Sequence, residues 1–571
     1  MLFMTSMKTG SFLGDSIRLL IGIPFVFAAL TVQAATYCVG PSATGNGSGS
    51  DWNNQLAWSS TPARGDTWYL FGTNYSSKTF STANSGTSYI TIKKAIVGDN
   101  VTSTGWSNRM TNQTVFGGSL TFYTSYWLFD GQTGGGPGAW TNNIGFQIHA
   151  FSSSSGIQIG DGSTHLPSFF TLRHFEVTGE GTQDSMNFGV SIEGNGTTQC
   201  GDVTISYAAL HDTGCTIFAS DWGYGNYIMD HCYFGRFYGS SSDHSEVAKE
   251  FSSALTNVTV RYCLINHIES TGGFIWDNLD GFYFYGNTIY RADGDNTWVI
   301  GNNGILGSLG SGVYLPISAT NWTIINNTWI NTPFTPVQLF NAAPGDAHVN
   351  LTNNLFYHAN AYLSAGPGSK DYNYYNACTN APAETHGQVA TGNPFNNYPA
   401  LDFTLVSSTA AGFKAGSQYA TDPNGVTRAT WTRGAYEYGS TLGGGSPAMQ
   451  LKSLFGNPLN PSNSYSFGSV GTNITTTNTL FTVQNLGSGT LSGTGSVAAP
   501  FFIVSGSTYS LTQNQSQPVT ICFKPTAISN YSRTMTFSAT GGAGTNLTLN
   551  GTGTASTTPA SPQMLILRPE L

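Results

Sequence analysis

Charged residues are scarce in this chain, so the places where they gather stand out. The span Ser240–Phe251 (SSSDHSEVAKEF) sets Asp243, His244, Glu246, Lys249 and Glu250 within eight residues. Trp276, Asp277 and Tyr314 follow downstream, and a second set comprises Arg236, His267, Arg291 and His358, with His211-Asp212 earlier in the chain. A carboxylate beside aromatic faces suits a sugar ring, which has apolar C–H sides and polar edges. Cations in a column suit the carboxylates of an acidic glycan. β-Elimination on a uronic-acid chain needs a base for the proton beside the carboxylate and a cation for the enolate-like charge that develops. Lys249, His244 and His267 are candidate bases, with Glu246 beside them. Arg236, Arg261 and Arg291 are candidate neutralisers, and Trp276, Asp277, Arg291 and Tyr314 are candidate substrate contacts. A calcium ion could replace the arginine, with Asp243, Glu246 and Asp277 as its oxygen ligands. A glycoside hydrolase would instead pair Glu246 with Asp277 or Glu250. Against both stands a non-catalytic reading, in which these groups are solvated surface charges on an adhesive scaffold. Asp293-Gly294-Asp295-Asn296 has part of a calcium loop but lacks its remaining ligand spacing, and reads as a plain turn.

These residues hang on a repeat. One eight-residue phrase recurs seven times between Phe170 and Phe356: FTLRHFEV, VTISYAAL, YIMDHCYF, VTVRYCLI, FYFYGNTI, WTIINNTW and VNLTNNLF. Successive copies start 33, 24, 31, 24, 40 and 27 residues apart, within the range of solenoid repeats. The third place is always apolar (Leu172, Ile205, Met229, Val260, Phe284, Ile324, Leu351), and the second is mostly Thr. That alternation is the mark of strands with one buried side. The sixth place reads Phe175, Ala208, Cys232, Cys263, Asn287, Asn327, Asn354, a turn column in which stacked amides satisfy the bend. A third strand per coil reads upstream of each phrase, at 189–193, 215–219, 246–250, 273–277, 312–315 and 337–341. With Val247 inward, Glu246 and Ala248 face out. Each coil has one buried side that only a neighbour can cover, so coils must stack. A sandwich or propeller also gives many short strands but no turn column in register.

Strand, Asn-bearing bend, strand: this pattern resembles the right-handed parallel β-helix of the pectate-lyase-like families. The opening strands Gly65–Leu70 (GDTWYL) and Tyr89–Lys93 (YITIK), and the closing set Leu401–Leu405, Asp422–Arg428 and Gly434–Tyr438, are similar to secreted β-helix repeat proteins. The resemblance implies a solenoid over residues 35–438 on an all-β chain. It carries no family catalytic motif, and the fold hosts lyases, hydrolases, epimerases and adhesins. Residues 439–450 read as a linker. Beyond it, Tyr465–Gly471, Leu480–Gly487, Val519–Thr526 and Leu547–Gly553 alternate at sandwich spacing and resemble the immunoglobulin-like "choice-of-anchor D" module, over residues 451–556. Such a module implies a small β-sandwich used as a spacer or cell-surface anchor. Residues 557–571 read as a Ser/Thr/Pro-rich flexible tail.

Composition bounds the rest. Of 571 residues only 9% are charged, 13% are aromatic, and 70 are Gly, with a formal net charge of −9. No basic footprint points to nucleic acid. Arg18, the apolar run Leu19–Leu30 and Val32-Gln33-Ala34 read as a signal peptide over residues 1–34, which implies secretion. No later stretch is apolar enough to span a bilayer. Seven cysteines leave an odd count. Cys232 and Cys263, at the same place in adjacent coils, read as two buried turn residues rather than a disulfide. The expected function is binding, and cleavage by elimination, of an acidic extracellular polysaccharide.

Overall fold

The computed structural model describes residues 35–96, 102–107, 112–150, 154–181, 188–195, 200–214, 218–221, 225–238, 246–251, 255–269, 272–276, 279–295, 306–308, 321–333, 336–339, 349–361, 368–441, 449–453, 464–485, 490–511, 515–539 and 544–556. The expected signal peptide and tail, and His244, Asp243, Asp277 and Tyr314, lie outside these.

Three large sheets, every pairing in them parallel, are built by a chain that visits each in turn. Among the described residues an upstream sheet has nine strands, a middle sheet thirteen and a downstream sheet eleven. Phe188–Glu193, Gly201–Ser206 and Ala209–His211 form one such round, and Phe218–Asp221, Tyr227–Asp230 and Tyr233–Tyr238 the next. Each recurring phrase is therefore a middle strand, a bend and a downstream strand. Neighbouring rounds pair without slip: Leu172, Ile205, Met229, Val260, Phe284, Ile324 and Leu351 stand on successive rungs. All seven are at most 1% exposed. The large parallel sheets agree with the expected β-helix. The expected upstream strand at 312–315 lies outside the described residues. Leu306–Ser308 pairs with Phe274 and Ile275 on one side and Val337–Leu339 on the other.

The bend between middle and downstream strands is held by a buried amide ladder. Asn287 Nδ2 donates to Asn327 Oδ1 (3.1 Å), Asn327 Nδ2 to Asn354 Oδ1 (3.0 Å), and Asn354 Nδ2 to Asn373 Oδ1 (3.0 Å). Each Nδ2 also donates to a main-chain carbonyl, of Val260, Phe284 and Ile324 in turn. Glu384 Oε1 accepts from Asn373 Nδ2 at 2.9 Å and ends the run. Asn373 itself extends the expected column by one coil beyond the last phrase. At the other end the ladder passes to sulfur: Cys263 N donates to Asn287 Oδ1 (2.9 Å), and Cys232 N to Cys263 Sγ (3.4 Å). Both cysteines are buried and free, as the turn-column reading expects.

The segment from Phe395 to Tyr436 adds no further coil to the three sheets. Its residues Phe395, Tyr398, Phe403, Leu405, Ala435 and Tyr436 join Tyr233, Leu264, Tyr290, Leu355 and Tyr357 in a second apolar cluster over the downstream sheet. Beyond residue 448, a four-stranded and a five-stranded sheet share a separate core that includes Leu451, Phe481, Val519, Phe523, Phe537 and Leu549. Among the described residues, no helix is long and apolar enough to cross a membrane.

Replacing Asn327 by Ala would leave partners of buried hydrogen bonds unsatisfied on both neighbouring rungs, each costing about 1–3 kcal/mol. We expect urea unfolding to show a loss of about 3 kcal/mol or more. Asn350→Ala, at an exposed rung whose Oδ1 accepts only from Ser369 Oγ among the hydrogen bonds seen, should change stability by less than about 0.5 kcal/mol. Equal losses from both variants would contradict the ladder's role.

Candidate active site

A column of left-handed bends runs along the downstream sheet, just past the ends of three strands and inside two others, Tyr233–Tyr238 and Leu264–Glu269. Asp212, Arg236, His267, Asn331 and His358 have φ of 58°, 44°, 58°, 55° and 47°. They and Arg291 follow the in-register rung His211, Gly235, Asn266, Tyr290, Ile330, Tyr357. Parallel pairing spaces these rungs about 4.8 Å apart. The structure thus brings together Arg236, His267, Arg291 and His358, four of the residues expected from sequence. Asp, Asn and His accept the left-handed region readily. Arginine does not, so Arg236 sits there at a backbone cost of about 1–2 kcal/mol.

What holds Arg236 is a chain of alternating charges. Its guanidinium donates to Asp212 Oδ2 at 2.6 Å. The same oxygen lies 2.6 Å from His211 Nδ1, and His211 Nε2 lies 2.9 Å from Glu176 Oε1. Gln147 and Gln113 donate to Glu176 Oε2 at 2.8 and 3.2 Å. Burial alone would lower the pKa of His211, but its hydrogen bonds to Asp212 and Glu176 outweigh it and raise the value to about 8. Burial would likewise raise Glu176, yet the bonds from His211 and the glutamines bring it below the usual carboxylate value. With His211 protonated, Glu176, His211, Asp212 and Arg236 sum to zero charge. That neutrality is what lets a partly buried ion network persist.

The next rung carries His267. Its Nδ1 lies 3.0 Å from Asp295 Oδ2, with the two side chains 20% and 13% exposed. A carboxylate on Nδ1 selects the tautomer that places the basic lone pair on Nε2. Arg236 stands one rung before His267 and Arg291 one rung after. Tyr233, whose phenol is pushed up by burial, lies on the same outer face with its ring across Gly235. A positioned imidazole between two guanidinium rungs can accept a proton while a cation meets the charge left behind.

No protein-family model matches the chain, and no curated protein matches it. Three solved structures show what parts of it are similar to. A mannuronic acid specific polysaccharide family 6 lyase from human gut microbiota is 13% identical over 63% of this chain and 82% of its own, with a TM-score of 0.33. A GH136 lacto-N-biosidase from Eubacterium ramulus is 10% identical over 63% of this chain and 68% of its own, with a TM-score of 0.29. The seventh PapD-like (ASH) domain of human CEP192 is 15% identical over 19% of this chain and 88% of its own, with a TM-score of 0.16.

The first cluster expected from sequence is placed differently. Glu246 was expected to face out, but it is completely buried. Register gives the reason: Ala248 stands between Phe218 and Phe274, which are core residues, and Glu246 shares the side of Ala248. Trp276 was expected to offer its ring to a sugar. It too is completely buried, packed 5.7 Å from Phe282, and a core position leaves it no face for substrate. Lys249 is 8% exposed with its Nζ 5.8 Å from the Phe188 ring. Arg261 is spoken for by Asp230 (2.8 Å) and the Tyr285 hydroxyl (3.2 Å). Among the described residues no three His, Cys, Asp or Glu converge to hold a metal ion. Of the expected calcium ligands, Glu246 is buried and the two aspartates lie outside the described residues.

Sequence reasoning did not reach Glu176 or the use of Asp295. Glu176 had a signal: it is the one charged residue in the seventh place of the phrase, where the other copies carry Ala209, Tyr233, Leu264, Thr288, Thr328 and Leu355. Asp295 had none, because it lies in a loop 28 residues beyond His267.

The raised pKa of His211 makes a stability prediction with a definite sign. Stabilisation by its protonated form is complete below about 6.5 and is lost as pH rises through about 8. The difference in unfolding free energy between the wild type and His211→Gln should shrink by about 2 kcal/mol between pH 6 and pH 9. Urea titrations at several pH values would show it; a difference that stays constant would remove the charge network.

Proposed function

We propose that this protein binds an acidic polysaccharide along the bend column and cleaves it by β-elimination. The observation that carries the reading is the His267–Asp295 pair set between Arg236 and Arg291 on adjacent rungs. A polyuronate presents one carboxylate per sugar, and Arg236 and Arg291 stand two rungs apart, about 10 Å, with the imidazole between them, so carboxylates of different sugars can be met on either side of the base. His267 Nε2 takes the proton on the carbon beside the carboxylate. Asp295 orients the imidazole and stabilises the imidazolium that forms. Arg236, fixed by Asp212 and the His211–Glu176 pair behind it, meets the carboxylate on which negative charge grows. Arg291 binds the neighbouring sugar's carboxylate. Electrons from the broken C–H bond form the double bond, and the glycosidic oxygen leaves with a proton from solvent or Tyr233. In this reading the protein is exported, and its two-sheeted C-terminal part, an immunoglobulin-like module, serves as a spacer or surface anchor.

The test is the ultraviolet absorbance of the unsaturated uronide, on purified protein with a panel of polyuronates. One substrate should give a rising signal. His267→Gln should lower kcat by about 10²–10⁴-fold with KM little changed. Arg236→Ala should lower kcat/KM by about 10²-fold or more. Arg291→Ala should act mainly on KM, and its effect should fade at high salt, where surface charges are screened. No signal on any polyuronate, with no new reducing ends, would leave the column as a binding surface only.

A further inference from the structure

A different edge of the coil, where each round enters the middle sheet, carries an exposed row that the elimination chemistry does not use. Tyr89, Tyr126 and Phe169 each stand one residue before the paired positions Ile90, Trp127 and Phe170, so they occupy three successive rungs. Their rings form a stack: Tyr89 meets Tyr126 edge-on at 5.5 Å, and Tyr126 and Phe169 lie parallel at 4.9 Å with planes 12° apart. Tyr89 is 40% and Phe169 41% exposed. Tyr126 and Phe169 hold φ of 66° and 70°, a region that bulky side chains avoid. On later rungs the same edge uses residues suited to that backbone: Asp202, Asn257, Gly281 and Asn321, all with positive φ. The two aromatic residues therefore sit where the backbone favours Asn, Asp or Gly, and backbone strain of this kind gathers at functional positions.

After Phe169 the row turns from rings to hydrogen-bonding groups. Asp202 occupies the next rung and accepts from Asn226 Nδ2 at 2.7 Å. Asn257 follows, its Nδ2 3.4 Å from Asn226 Oδ1, and Asn321 donates to Asp280 at 2.7 Å. Among the described residues Phe169 makes no ring contact on the Asp202 side. Asn226, Asn257, Asp280 and Asn321 are exposed. From Tyr89 to Asn321 the row crosses eight rungs, roughly 34 Å at the parallel-strand spacing.

We propose that this edge is a second glycan-binding site, for a neutral pyranose chain. A sugar ring continues the stack on the outer face of Phe169, with its apolar C–H side against the ring. Its hydroxyls meet Asp202 and Asn226, and the following sugars run along Asn257 and Asn321. Asp202 and Asp280 repel a polyuronate, so the ligand differs in charge from the one the bend column takes. The proposal does not rest on the elimination reading, because it concerns other residues and another ligand.

The experiment is affinity electrophoresis and calorimetry of the full chain with cellohexaose, mannohexaose, xylohexaose and their soluble polymers, and with a polyuronate as control. At least one neutral glycan should bind. Phe169→Asn keeps a residue that accepts the bend and removes the ring. With Tyr89→Ala it should weaken that binding at least tenfold, while the urea midpoint and binding of the polyuronate stay unchanged. Phe413→Ala, at an exposed aromatic elsewhere (51% exposed), should have no effect. Failure of every neutral glycan to bind the wild type, or undiminished binding by the double variant, would overturn the proposal.

Discussion

The three large sheets depend on coils pairing in parallel, in register, at one rung spacing. A coil alone leaves its strand N–H and C=O groups unpaired and its apolar side in water. Stacking satisfies both at once, but only if neighbouring coils do not slip. That requirement turns each place in a coil into a column running along the solenoid. A side chain is then judged less by its sequence neighbours than by the residues one coil above and below it. Aromatic rings show this in the core, where Trp329, Phe356 and Tyr375 lie nearly parallel on successive rungs.

Columns of polar residues obey the same rule under harder terms. Buried amides can repeat, because each Asn carries both a donor and an acceptor and can pass a hydrogen bond to an identical neighbour. Charged residues cannot repeat at this spacing without repulsion, so they alternate. At the last place of the middle strands, Arg173 pairs with Asp130 at 2.8 Å and Arg261 with Asp230 at 2.8 Å. Beside them His174, Tyr207 and His231 stack at 4.9–5.0 Å, and His231 is tied at both nitrogens, to Asp230 and to the Pro423 carbonyl. This row is consumed by its own pairing. The downstream row is not, since Arg236 keeps 55% of its side chain exposed while bound to Asp212.

The repeating features were legible because repetition multiplies a weak signal. One apolar third place proves little; seven of them, from Leu172 to Leu351, fix the register. The Asn column was readable for the same reason, and so was the alignment of Arg236, His267, Arg291 and His358. The side to which a single strand turns was not. In Glu246–Phe251 four successive residues, Glu246, Val247, Ala248 and Lys249, are all buried, so alternation offers two answers and does not say which side meets the core. Trp276 is in the core as well, because it stands two places after the core residue Phe274, on the same side of its strand. The partner of His267 was out of reach for another reason. Asp295 comes from a loop after the next coil, and loops carry no period.

Function in such a fold gathers where the column rule is weakest, at the bends. Strand places are bound by burial on one side and by pairing along the backbone. A left-handed bend asks only for a residue that accepts positive φ, which Asn, Asp, Gly and His supply at low cost. A side chain that accepts it badly must gain something from its surroundings. Tyr207 and Tyr262 gain burial under the Gly-rich and C-terminal loops, where Gly135 lies so close that a Cβ there would stand 2.1 Å from the Tyr207 carbonyl oxygen. Arg236 gains the carboxylate of Asp212. Phe169 gains one stacked ring and leaves its other side exposed, so the packing offsets less of its backbone cost than at Tyr207 and Tyr262. At the bends whose residues are least explained by packing, a ligand would supply the missing partner.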